Sequence, residues 1–121
     1  MPDTIISNIK QLLGLASDYT PFDQEIILHI NSVILVLNQI GIGKTGFYLT
    51  LTDDGTGTLK STQTWTDFLG DKIHDQEAVK SYIFMKVKLL FDPPASGTIL
   101  ESYKKLIEEF EFRLNVSTRS N

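Results

Sequence analysis

The sequence predicts a mainly α fold: a small helical bundle of about four helices with a short β-hairpin insertion. Three observations lead there. Apolar residues recur at three- and four-residue intervals over four stretches, the period drops to two between residues 47 and 62, and helix start and stop residues stand at the seams. With 121 residues, 41% of them hydrophobic, the chain can bury about two thirds of its unfolded surface around one core. No repeat, low-complexity run or long linker divides it, so a single domain over 1–121 is expected, with a flexible C-terminal tail at about 117–121.

The first helix is predicted from about Asp3 to Ala16. Asp3 or Thr4 serves as N-cap, Ile5, Ile6, Ile9, Leu12 and Leu13 form its apolar face, and Gly14 weakens its end. In "TPFDQEI" Thr20 is placed to cap the second helix, Pro21 fits a first position that needs no N–H, and Asp23 suits the positive helix pole. Ile26, Ile30, Val33, Leu37 and Ile40 then form one stripe. Ile27, Leu28, Ile34, Leu35 and Val36 widen it over most of the circumference. A helix so apolar is either central or shared between the core and a subunit interface, and the small size of the chain favours the central position.

From Phe47 the pattern alternates: Phe47, Leu49 and Leu51 against Tyr48, Thr50 and Thr52. "DDGTG" supplies a turn and a second threonine-rich run surrounds Leu59, which together read as a hairpin that must lean on the helices or on another molecule. "TWTDFLG" predicts one helical turn capped by Thr64, with Trp65, Phe68 and Leu69 facing the core. A helix beginning near Asp75 carries Ala78, Tyr82, Met85 and Leu89 on one stripe with Ile83, Val87 and Leu90 beside it, and Pro93 and Pro94 stop it. The last helix opens on a Thr98/Glu101 capping box, with Ile99, Tyr103, Leu106, Phe110 and Leu114 as its face and Glu101–Lys105 and Glu109–Arg113 as surface pairs. Beyond Val116, "STRSN" has nothing to bury and is expected to be disordered without a partner.

Composition removes several function classes. The absence of cysteine excludes disulfides, thiolate catalysis and cysteine-ligated zinc, and suits folding in a reducing cytosol. The N-terminus has Asp3 and no basic flank, so it does not read as a secretory signal. The most apolar stretch, "EIILHINSVILVLNQI", is broken by His29, Asn31, Ser32 and Asn38, and no membrane span is expected. A formal charge of −4 disfavours a surface that grips nucleic acid, while leaving room for one that lets DNA pass.

The catalytic motifs are incomplete. "GIGKTG" at 41–46 ends like a phosphate-binding P-loop, yet the position of the first required glycine is Asn38, and a helix precedes the loop where a strand should. The favoured reading is a helix C-terminus, with Gly41 or Gly43 left-handed and Lys44 near the negative pole. His29, four residues after Glu25, lacks further ligands for a metal. His74 lies among loop and cap carboxylates Asp71 and Asp75, and Asp53–Asp54 lacks the ligand pattern of a calcium loop. Lys80, Lys86 and Lys88 raise a membrane-surface or nucleic-acid reading, against which stands the ordinary packing of lysine stems over a core face. No catalytic, cofactor-binding or metal-ligating residue is assigned.

Four blocks in order, "FDQEIILHINSVILVLNQIGIG", "WTDFLG", "AVKSYIFMKVKLLFDPP" and "LESYKKLIEEFEFRLNV", resemble the small head-tail connector proteins of tailed, siphovirus-like phages of Gram-positive bacteria, also called adaptor or head-completion proteins. The resemblance covers about Thr20 to Val116, is most specific in "LLFDPP" and "RLNV", and weakens from Tyr48 to Thr62. It implies a non-enzymatic structural protein of the virion neck, assembled in the host cytoplasm. The homo-oligomer expected is a ring, twelvefold, beneath the portal protein, with a stopper or tail-completion protein below and DNA passing through the lumen without specific binding.

By the same resemblance the portal-docking residues are Arg113, Leu114, Asn115, Val116, Ser117, Thr118 and Arg119. Ile27, Ile34, Tyr48 and Thr50 are subunit-interface candidates, and no cofactor is implied. The alternative reading is a small helical DNA-binding or regulatory protein, which requires a basic recognition helix; a small metal-dependent hydrolase is a third.

Overall fold

The computed structural model describes residues 4–53, 55–71 and 73–119, without the side chains of 73–75, 117 and 119. Among the described residues, five helices and one small antiparallel sheet follow in the order α1 (Ile5–Leu12), α2 (Asp23–Gln39), β1 (Thr52–Asp53), β2 (Leu59–Lys60), α3 (Trp65–Leu69), α4 (Ile73–Phe91) and α5 (Gly97–Arg119). The mainly helical bundle with its hairpin is as the periodicity indicated.

α1 begins where Thr4 Oγ1 accepts from Ser7 N–H, and it buries Ile5, Ile6 and Ile9. It ends earlier than Ala16 because Gly14 takes φ +84°. Asp3 lies outside the described residues. α2 is not capped by Thr20: its N-cap is Phe22, which has no capping side chain, while the Thr20 carbonyl accepts from Asp23 N–H in a preceding turn. The acidic first turn, Asp23 and Glu25, offsets the exposed N–H dipoles instead.

α4 packs against both α2 and α5. Phe22, at the start of α2, meets Phe91, at the end of α4, with ring centroids 5.2 Å apart, so these helices run antiparallel. Phe84 meets Tyr103 at 6.4 Å and the Tyr82 hydroxyl donates to Glu111 Oε2 at 2.8 Å, so α4 and α5 are antiparallel as well. Burial pushes the Tyr82 phenol well above its ordinary range, with the hydrogen bond and charge of Glu111 adding to it, so the hydroxyl remains a donor.

The bundle therefore has two poles. One gathers the ends of α1 and α4 and the starts of α2 and α5. The other gathers the ends of α2 and α5 and the start of α4, and each helix of 17 or 19 residues separates them by about 25–28 Å.

On α5 the covered row is Tyr103, Ile107, Phe110 and Leu114; Ile99 and Leu106, expected inside, are exposed. Its start is also two residues earlier than the Thr98 capping box would set it. Ser96 accepts there, weakly from Ile99 N–H at 3.4 Å and through its carbonyl from Leu100 N–H at 3.0 Å, and Glu101 turns to Lys104 rather than Lys105. Serine is as good an N-cap as threonine, and the two prolines ahead of it set the entry of the chain. In α4 the buried row includes Val79, which the sequence reading left out, and Leu90 is exposed.

The hairpin is shorter than its alternating pattern. Among the described residues Thr52↔Lys60 and Asp53↔Leu59 are the pairs formed, and all four residues are exposed. Residues 48–50 belong to no strand but are bracketed by two side-chain amides. Asn31 of α2 donates from Nδ2 to Leu49 O at 3.0 Å and accepts Leu49 N–H at Oδ1 at 2.6 Å. Gln63 donates from Nε2 to Tyr48 O at 2.7 Å and accepts Thr50 N–H at 3.0 Å. Each amide does what a neighbouring strand does, with one donor and one acceptor in register. Asn31→Ala is expected to cost about 2–3 kcal/mol in urea unfolding, because Leu49 is buried and both its backbone groups lose their partner. Gln63→Ala, at the more open edge, is expected to cost about 1 kcal/mol.

Candidate functional site

Among the described residues no catalytic cluster assembles. No group of three or more histidine or acidic residues is arranged to hold a metal ion. His29 is half-buried on α2 and Glu25 is exposed at its first turn. Asp54 and the His74 side chain lie outside the described residues. No described helix is long and apolar enough to cross a membrane.

The Gly-Ile-Gly-Lys-Thr-Gly loop is a corner, not a phosphate cradle. Gly41 and Gly43 both take positive φ, +93° and +80°. The N–H groups of Gly41 and Ile42 donate to Asn38 O and Leu37 O, that of Lys44 to Phe68 O at 2.8 Å, and that of Phe47 to Lys44 O. Gly46 N–H donates to Asn38 Oδ1 at 2.9 Å, while Asn38 Nδ2 donates to Ile42 O. A P-loop needs such groups free to point at a ligand. A shallow depression of about 430 Å³ adjoins the corner, lined by Lys44, Tyr48, Thr50, Gln63 and Asp67 among others. Its Gln63 amide is consumed by the bracket, and Asp67 by the reciprocal capping box with Thr64.

The three lysines of α4 are occupied within the subunit. Lys80 lies over the Trp65 ring at 5.7 Å and pairs with Glu77 at 3.7 Å. Lys86 lies over Tyr82 at 5.9 Å and pairs with Glu111 at 4.0 Å, and Lys88 pairs with Asp92 at 2.9 Å. A recognition helix for nucleic acid needs cations free for phosphates, and these are compensated locally.

What remains is surface chemistry for association. Of the four subunit-interface candidates, Ile27 and Ile34 belong to the core, Ile34 being 0% exposed, because α1 and α4 cover that row of α2. Tyr48 is exposed, and Thr50 is half-buried with its N–H held by Gln63. The uncovered row of α2 is instead Leu28, at 68% exposure, and Leu35, at 60%, with Val36 beside them. Their offset of one residue from the core row was visible in the sequence, but not which row would be covered.

The C-terminal segment is helix, not tail. α5 runs through Arg119, three residues past the expected break, because Leu114 is buried and the last turn lies against the α2 corner, where a Cβ on Gly41 would stand 3.9 Å from Thr118 Cβ. Thr118 Oγ1 donates to Asn115 O at 2.8 Å, and Arg113 pairs with Glu109. The side chains of Ser117 and Arg119 lie outside the described residues. Beside this segment Phe112 stands 70% exposed, one helical turn before exposed Val116.

The chain matches the model of the phage connector protein family over residues 5–121. It belongs to that family. No curated protein and no solved structure matches it. The connector is a structural component of a phage particle, which brings it into contact with portal and tail proteins. For a protein with this role, Phe112–Val116 at one pole and Leu28–Leu35 on the flank are its candidate working surfaces.

Proposed function

We propose that this connector forms a closed ring, a dodecamer, beneath the portal of a siphovirus-like particle and joins the DNA-filled head to the tail. Helix packing completes each subunit, the Leu28/Leu35/Val36 flank meets the next subunit, and the C-terminal pole docks on the portal through α5. The observation that carries this reading is apolar surface left over after the core is complete: leucines at 68% and 60% exposure on a helix whose other face is fully buried. A heterologous contact repeated by rotation closes such surface into a ring. The net charge of −4 suits a lumen that repels DNA phosphates and so does not retard their passage. A stopper or tail-completion protein follows below, and no bond-making chemistry is involved.

Co-sedimentation with purified portal tests this. The full chain is expected to sediment with portal. A chain ending at Val116 keeps Leu114 in the core, yet loses the last turn and is expected to bind at least tenfold more weakly. Leu28→Lys/Leu35→Lys is expected to bind at reduced stoichiometry, since lateral neighbours no longer support each other. Equal binding by the shortened chain overturns the docking assignment.

A further inference from the structure

We infer that the pole opposite the C-terminus is a second, pre-organised docking surface, whose occupant is a tail-side protein presenting an arginine or lysine beside aliphatic side chains. This rests on the reading that the C-terminal pole faces the portal. A connector joins two bodies, so the pole about 25–28 Å away along the helices is left for the second.

Three features at that pole bear on the occupant. Tyr19 and Phe22 are exposed on the strap between α1 and α2, their ring centroids 5.8 Å apart, and Phe22 meets Phe91 edge-on at 5.2 Å. Aromatic residues held in mutual contact at a surface are the usual anchors of protein interfaces, since they bury much area at little entropic cost.

The strap that carries two of them is not free to wander. Lys10, 2% exposed, donates from Nζ to Ser17 O at 3.1 Å and to Tyr19 O at 2.7 Å, and Asp23 Oδ1 lies 2.8 Å from the same ammonium. One buried charge thus holds the backbone at the start of the aromatic stretch and the Asp23 side chain just past its end. Ordering a loop before association removes a cost from binding.

The charge at this pole sets the chemistry of the occupant. Lys10 is matched by Asp23, Lys88 by Asp92 and Lys104 by Glu101. On the strap and the first turn of α2, Asp18 and Glu25, both exposed, have no ion pair among the described residues, and Lys105, an exposed cation likewise without an ion pair among them, lies about two turns into α5. Two uncompensated carboxylates beside exposed aromatic faces favour a cation, which gains both ion pairing and cation–π attraction, with aliphatic groups packing on the ring edges.

The test is joining of purified DNA-filled heads, connector and tails, read as infectious particles, alongside co-sedimentation with portal. Phe22→Ser is expected to lower joining at least tenfold with portal binding unchanged. Asp18→Lys, which alters an exposed residue and leaves the fold intact, is expected to lower joining severalfold, with a loss that diminishes as salt is raised. Because the chain has no cysteine, Tyr19→Cys carries a single benzophenone, and its cross-link is expected on a basic segment of a tail-side protein. A cross-link to portal or to another copy of this chain overturns the inference, as does undiminished joining by both Phe22→Ser and Asp18→Lys. Loss of portal binding by either variant also overturns it, because the poles are then assigned the wrong way round.

Discussion

Gly43→Ala is expected to destabilise the protein by about 3 kcal/mol, a fall in melting temperature on the order of 10 °C for a chain of this size. Two costs add. Gly43 holds φ +80°, where an L-residue is disfavoured by roughly 1–2 kcal/mol. A Cβ there would also stand 2.1 Å from Phe68 Cε1, inside the ring's own volume. Phe68 cannot step aside, because it is buried, stacked on Phe47 with centroids 5.0 Å apart, and carried on a helix whose Phe68 carbonyl accepts Lys44 N–H. Displacing such a ring costs about 1–3 kcal/mol by overpacking. Gly46→Ala is the control: its φ is +77°, yet nothing lies within 4 Å of the added carbon, so only the backbone term, about 1 kcal/mol, is expected. Thermal unfolding of the two variants separates the terms, and equal shifts would show that Phe68 yields.

The second large effect is at Lys10. Lys10→Met keeps the aliphatic stem but leaves the Asp23 carboxylate without compensation; its Oδ1 is buried and receives no hydrogen bond of good geometry, so the ammonium charge is what balances it. Breaking one side of a largely buried ion pair costs about 3 kcal/mol. The carbonyls of Ser17 and Tyr19 lose their donor at the same time. Adding Asp23→Asn to Lys10→Met is expected to recover about 1 kcal/mol, since a neutral amide is cheaper to leave buried than an uncompensated charge. Amide exchange across residues 13–22 is expected to quicken in Lys10→Met while α4 and α5 keep their protection. A uniform loss of protection would show that the pair holds the whole bundle rather than the strap.

Much of this molecule was legible in its residues. The Thr64 cap, the inward Trp65, Phe68 and Leu69, and the end of α4 before Pro93 follow from local chemistry. A capping side chain reaches the backbone N–H three residues on without help from the rest of the fold, and a proline past the first turn removes a helix hydrogen bond wherever the helix packs. The corner at Gly41–Gly46 was readable for the same reason. Ser96 against Thr98 was a choice between two competent caps two residues apart, decided by how the chain leaves the prolines. Lys10 gave no signal, since nothing local marks one lysine on a polar-flanked helix as the one that a loop seven to thirteen residues onward will close over.

By itself the sequence determined the order of the helical segments, the place of the hairpin, and the exclusion of thiol chemistry, because periodicity, capping and composition act over a few residues or none. Only the tertiary structure decided which rows of α2 and α5 are interior. Ile34 and Leu35 are equally apolar neighbours, and α1 and α4 cover the first but not the second. The same holds for the last turn of α5, which is helix through Arg119 because Thr118 and the Gly41 corner, far apart in the chain, stand together in space. Burial is a property of what packs against a residue, and for these surfaces the packing comes from elsewhere in the chain.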